Sequence, residues 1–223
     1  MSISSNIIIR YDGPILADHR MDISDLAPAL IGISELCKIA NKKFNGNKSS
    51  VKVLMKADIE QKCIELDLYV EMVSAWDAIK SLIADDNIKS AKEFLEWIGI
   101  ISGSAGVYGL LKLITATKGK AITSTELVVK DGKNIAQISI KGDNNTVTNI
   151  YTYPQTLELM RDEVAISNLK KVISPLVKDG YEKLEFDDRN NIESVYKLDA
   201  ATIADFDAIN PGVYRAGNRL ASS

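Results

Sequence analysis

Hydrophobic and polar residues alternate with period two in several short stretches of the chain, which is the pattern of half-buried β-strands. The predicted strands are residues 7–11, 51–57, 63–70, 123–130, 135–141, 146–153, 184–186 and 192–198. The first strand ends at Asp12-Gly13-Pro14, a sequence typical of turns. The segment 142–145, Gly-Asp-Asn-Asn, separates two alternating runs and predicts a hairpin. A second hairpin is predicted around residues 58–61.

Apolar residues three or four positions apart predict helices between these strands. The first helix begins near Asp22 to Asp25, which supply capping side chains, and ends near Phe44, before Asn45-Gly46-Asn47. Helical spacing returns in residues 74–92 and again in 155–177, where Pro175 bends or ends the last turn. The chain therefore predicts an α+β fold with mixed or antiparallel sheets and packed helices.

An uncharged segment of fifteen residues, from Trp97 to Leu111, stands apart from the rest of the sequence. Its glycines are Gly99, Gly103, Gly106 and Gly109. Each glycine in an exposed helix interior costs up to about 1 kcal/mol relative to alanine, so close packing against another backbone has to offset this loss. We therefore predict a glycine-rich apolar central helix, with Trp97 and the four glycines as its packing residues.

Three environments fit this segment. The first hypothesis is that it crosses a membrane, and the second is that it inserts into a membrane surface. The third is that it is a buried helix or glycine-rich loop inside the fold or between identical subunits. Fifteen residues of helix reach only about 22 Å, which is less than the roughly 30 Å hydrocarbon core of a bilayer. The segment also suggests a division into an N-terminal α+β domain, 1–96, a helix or linker, 97–120, and a C-terminal α+β region, 121–223, with a loose tail.

Composition excludes several classes of protein. Apolar residues make up 46% of the chain, charged residues 26%, and the mean hydropathy is −0.02. These values are far from those of disordered, collagen-like or polytopic membrane chains. A net charge of −3 makes nucleic acid an unexpected partner. The N-terminus lacks the features of a secretory leader, which predicts a cytoplasmic protein whose Cys37 and Cys63 remain free thiols.

Two other groups of residues are candidates for chemistry. Asp18, His19 and Asp22 bring the single histidine together with carboxylates, which could form a metal site or an acid/base pair; the alternative is that they cap and orient the first helix. Asp143, Asn144 and Asn145 could hold an ion, but they are more typical of a hairpin turn. The sequence indicates no cofactor.

Three sequence stretches carry a resemblance to known proteins. They are Asp12-Gly13-Pro14 through Asp22, the helix start Asp25-Leu26-Ala27-Pro28-Ala29-Leu30, and Gly142-Asp143-Asn144-Asn145-Thr146-Val147. The arrangement resembles a group of uncharacterised bacterial and prophage-borne α+β proteins with a glycine-rich apolar middle, over about residues 6–186. The resemblance implies no activity, cofactor or catalytic residue. It suggests that this chain is a shortened version without a further β-rich C-terminal region.

The function predicted from the sequence is that of a non-catalytic interaction or assembly protein. It would associate with copies of itself, or bind another protein, through the glycine-rich apolar segment. The same segment could also associate peripherally with the inner membrane, because it is followed by Lys112, Lys118 and Lys120. Insertion of the segment would then perturb the membrane, as in phage-defence effectors. The alternative is a small metal-dependent hydrolase centred on Asp18, His19 and Asp22.

Overall fold

The fold is α+β, as predicted, with two sheets and a set of packed helices. The computed structural model describes residues 4–18, 20–56, 64–74, 89–142, 146–188, 191–209 and 211. The strands are β1 Ser4–Asp12, β2 Ser49–Lys56, β3 Ile64–Ser74, β4 Val107–Tyr108, β5 Ile122–Lys130, β6 Lys133–Lys141, β7 Val147–Thr152, β8 Lys183–Asp188 and β9 Asn191–Asp199. The α-helices are α1 Ile23–Asn45, α2 Ala91–Ile98, α3 Leu110–Thr117, α4 Pro154–Met160, α5 Glu163–Ile173 and α6 Ile203–Asp207. Short 3-10 turns lie at Pro14–Leu16, Ser174–Val177 and Ala200–Thr202.

The first sheet joins strands from both ends of the chain. Its strand order is β2-β3-β1-β8-β9, and every neighbouring pair is antiparallel. β1 therefore lies between a strand of the N-terminal half and a strand of the C-terminal half. Residues 183–199 thus complete the sheet that residues 4–74 begin, and the division into regions at 96 and 121 stays a prediction.

The second sheet is mixed, with strand order β4-β7-β6-β5. β4 is a two-residue strand parallel to β7, and the other pairs are antiparallel. Asp131 and Gly132 connect β5 to β6, and both have positive φ, 51° and 73°. Two positive φ values in a two-residue loop are typical of a type I′ turn, whose twist matches that of paired strands.

Helix α1 packs against α5 and closes one face of the first sheet. Asp22 caps α1, because its side chain accepts a hydrogen bond from the Ser24 backbone N–H at 2.8 Å. The buried Tyr11 of β1 donates its hydroxyl hydrogen to the Val172 carbonyl of α5 at 2.8 Å. The contact spans the interior and fixes the sheet against the helices.

Two helix predictions need correction. The helix predicted over residues 155–177 is divided into α4 and α5, because Asp162 caps a new helix by accepting hydrogen bonds from the N–H groups of Val164 and Ala165. The single central helix predicted over the glycine-rich segment is also divided, because α2 ends at Ile98 and α3 begins at Leu110. The predicted helical stretch 74–92 falls largely outside the described residues, which resume at residue 89.

Candidate functional site

The glycine-rich segment forms a loop between α2 and α3, and its apolar side chains belong to the core. Ile98, Ile100, Ile101 and Leu110 are all buried. Gly99 ends α2 in the left-handed conformation, with φ 87°, and its N–H bonds to the Leu95 carbonyl at 2.9 Å. A left-handed residue that terminates a helix is ordinarily glycine, so this residue is used as a helix stop.

Two glycines of the loop contact each other directly. A Cβ atom added to Gly109 would lie 2.4 Å from the Cα atom of Gly99 and 2.5 Å from the carbonyl oxygen of Glu96. Real Cβ atoms do not approach other heavy atoms this closely. The end of α2 and the start of α3 thus meet backbone to backbone, and no side chain fits between them.

A third glycine makes room for a tyrosine. A Cβ atom on Gly103 would lie 2.0 Å from the Tyr153 hydroxyl oxygen. That hydroxyl accepts a hydrogen bond from the Ser104 backbone N–H at 2.8 Å. The neighbouring Thr156 donates its hydroxyl hydrogen to the Trp97 carbonyl at 3.0 Å. The loop is therefore held to the start of α4 by side-chain hydrogen bonds.

Trp97 is also packed within the same chain. Its ring meets Phe44 edge to face, with centroids 4.8 Å apart, and lies 5.8 Å from the ring of Phe94. Trp97, Gly99, Gly103 and Gly109 therefore all make close contacts within the chain. Gly106 differs, because the nearest atom to a Cβ built there is the flexible Lys130 ammonium at 3.3 Å. Contact between copies through this segment stays a prediction.

The loop lines a cleft of about 250 Å³. Its walls include Glu96 from α2, Lys112 from α3 and Tyr196 from β9, together with Gly99, Gly103, Gly106 and Gly109. The Lys112 ammonium lies 4.5 Å from the centroid of the Tyr108 ring. A cleft with one acidic and one basic wall can bind a small polar molecule through charged hydrogen bonds.

Glu96 is the most perturbed carboxyl group at this cleft. Its side chain is 12% exposed and pairs with the Lys92 ammonium at 4.0 Å. Burial raises the pKa of Glu96, and Lys133 and Lys92 oppose the shift only in part. The group therefore holds a proton to higher pH than an ordinary glutamate does.

Of the remaining sequence candidates, the structure describes only Asp18 and Asp22. Asp22 is engaged as the cap of α1, and its pKa is lowered by the hydrogen bonds from Ser24. Asp18 lies in the turn before it, while His19 is outside the described residues. Asp143, Asn144 and Asn145 are also outside them, although the strands on either side pair as predicted. Among the described residues, no group of three or more His, Cys, Asp or Glu is placed to hold a metal ion.

An exposed sheet edge is the feature that the sequence patterns did not single out. In the described part of the chain, β5 forms one edge of the second sheet. Leu127 is 58% exposed and Val129 is 73% exposed. Leu127 stands opposite the buried Ala136 of β6 and so lies on the inner face of the sheet. The apolar inner face thus continues onto β5, beyond the part that α4 covers.

Charged residues alternate with these apolar ones on β5. Glu126 and Lys130 lie on the opposite face from Leu127 and Val129, because successive side chains of a strand alternate. Lys130 donates to the Ala105 carbonyl at 2.8 Å and lies 5.4 Å from the centroid of the Tyr151 ring. The edge therefore presents an apolar pair on one face and an acid and a base on the other.

Comparison with models of protein families, with curated proteins and with solved structures gives no match to this chain. Within the described residues, none of the helices is both long enough and apolar enough to cross a membrane.

Proposed function

We propose that this chain is a non-catalytic assembly module that associates by β-strand addition at the outer edge of β5. The observation that carries the proposal is the exposure of Leu127 and Val129 on a nine-residue edge strand. An edge with exposed apolar side chains and unpaired backbone groups is a template for another strand, and proteins that do not use it usually protect it.

One of the other two long edge strands of the described structure, β2, is protected by charge in this way. β2 is an edge of the first sheet, and it carries Lys52 and Lys56 within its eight residues. Lysines on an edge strand discourage pairing with another chain. β5 carries a single lysine, Lys130, and its ammonium already donates to the Ala105 carbonyl at 2.8 Å.

The glycine-rich segment is a weaker route to assembly. Its apolar side chains are buried, and Gly99 and Gly109 already contact each other. Association or membrane insertion through this segment would first have to break the packing of α2, α3 and α4. Association through β5 requires no rearrangement of the core.

The test is the mass of the protein in solution as a function of concentration, measured by sedimentation equilibrium. We expect the wild type to form a defined oligomer and the Val129→Lys variant to dissociate at least about tenfold more readily, since each copy loses a cross-strand contact. Met55→Lys is the matched control, because Met55 is 49% exposed on the edge strand β2. A wild type that is monomeric at all concentrations would overturn the proposal, as would a control that dissociates equally.

A further inference from the structure

The β5 edge is self-complementary in one particular register. We infer that it pairs antiparallel with β5 of a second copy, with Val128 on the two-fold axis. This inference rests on the function proposed above and adds the partner and the residues that meet. The two four-stranded sheets would then form one continuous eight-stranded sheet.

The hairpin geometry decides which backbone groups are available. Lys130 and Lys133 are paired across the two-residue turn. Residues that flank such a turn exchange hydrogen bonds, and hydrogen-bonded positions alternate along an antiparallel pair. Lys130, Val128 and Glu126 therefore direct their N–H and C=O groups toward β6. Leu127 and Val129 direct theirs outward, toward a new strand.

The outward backbone groups of β5 can pair with those of a second β5 strand in three registers, in which the two-fold axis passes through residue 126, 127 or 128. A centre at 126 places Glu126 opposite Glu126 of the second copy, which is unfavourable because like charges meet. A centre at 127 places Lys130 opposite Ser124. A centre at 128 places Glu126 opposite Lys130 of the second copy, and Leu127 opposite Val129, at both symmetry-related positions. This register alone matches opposite charges on one face and apolar side chains on the other.

A shift in the pairing of β5 with β6, near the start of β5, also favours the register centred on Val128. The pairing of β5 with β6 shifts register between Ile122 and Ser124. A bulge bends a strand and disrupts the ladder, so the start of β5 is a poor surface for another strand. The register centred on Val128 uses residues 126–130, which lie beyond the bulge and pair regularly with β6.

The decisive test is a charge exchange between two variants. Glu126→Lys and Lys130→Glu should each weaken self-association by about tenfold, because like charges then face each other. A mixture of the two variants should associate as tightly as the wild type, because every charged pair in the mixed dimer is again opposite. Lys130→Gln controls for loss of the Ala105 contact. A mixture that binds no better than the separate variants overturns the register.

Cross-linking separates failure of the register from failure of the function. Opposed residues at a non-hydrogen-bonded position have Cα atoms about 4.5 Å apart, within disulfide range. In a Cys63→Ser background, we expect Val128→Cys to form a disulfide-linked dimer on oxidation and Leu127→Cys to form none. Efficient linkage through Leu127→Cys, in protein that still dimerises by mass, would overturn the register and retain the proposed function. A monomer in both measurements would overturn both.

Discussion

Gly99 and Gly109 lie ten positions apart in sequence and touch through their backbones, with the site of the absent Gly109 Cβ only 2.4 Å from the Gly99 Cα atom. This contact joins the end of α2 to the start of α3. The close approach at these two glycines is between two helices of the same chain.

Substitution of Gly109 should lower stability only because the added Cβ atom overlaps neighbouring backbone atoms. Gly109 has an ordinary extended backbone, φ −79°, so alanine is not strained there by its conformation. We expect Gly109→Ala to lower the free energy of unfolding, measured by urea denaturation, by roughly 2–3 kcal/mol, the upper part of the range of about 1–3 kcal/mol for overpacking a core. Gly132→Ala is the control, because its Cβ would meet nothing within 4 Å and only its positive φ is penalised, by about 1–2 kcal/mol. A smaller loss at Gly109 than at Gly132 would contradict the described contact.

Tyr153 and Gly103 should be energetically coupled. Tyr153→Phe removes the acceptor of the Ser104 N–H and should cost about 1–3 kcal/mol. Gly103→Ala should destabilise the wild type, because its Cβ would overlap the Tyr153 hydroxyl. In the Tyr153→Phe background that overlap is relieved, so a double-mutant cycle should show the two losses to be less than additive. Additive losses would mean that the two residues do not meet.

Replacement of Glu96 should stabilise the fold, by an amount that depends on pH. Because its pKa is raised in the folded protein, the unfolded chain loses this proton first as pH rises, and folding becomes less favourable up to the folded pKa. Glu96→Gln should therefore raise the melting temperature at pH 7, and the gain should vanish at a pH below the ordinary glutamate value of 4.5. Exposed Glu158→Gln serves as the control. An equal gain at both pH values would contradict the assigned cause.

The buried Asp25 should contribute strongly to stability. Its side chain is 7% exposed, and its carboxylate pairs with the Lys178 ammonium and accepts a hydrogen bond from the Tyr181 hydroxyl at 3.2 Å. Asp25→Ala leaves that buried hydroxyl without its acceptor, and we expect a loss of about 2–3 kcal/mol in urea denaturation. Lys178→Ala should cost less, because this side chain is 57% exposed. The reverse order of the two losses would show that the ion pair, and not the tyrosine contact, dominates.

The sequence predicts those elements whose signals are local. β1, α1, the β2–β3 pair and the β6–β7 pair all form where periodicity, capping residues or turn residues indicate them. The signal for the β5–β6 turn was also present, because Asp131-Gly132 between two β-prone runs is typical of a type I′ hairpin. These features depend on residues a few positions apart.

The features that were missed depend on distant residues. Glycines one helical turn apart are compatible with a continuous helix. Only the contacts of Gly99 with Gly109 and of Gly103 with Tyr153 show why helix α2 ends at Gly99. The pairing of β1 with β8 has no local signature. For the same reason the sequence did not show that β5 is an edge strand, since that depends on which strands the rest of the chain supplies.

The central position of β1 has a consequence for synthesis on the ribosome. Arg10 and Asp187, which meet at 3.3 Å, are separated by 177 positions. On a nascent chain, β1 can therefore pair with β3 first, and its other side waits until β8 has been translated. Such late closure slows folding, and it leaves one side of a hydrophobic strand available to chaperones until β8 emerges.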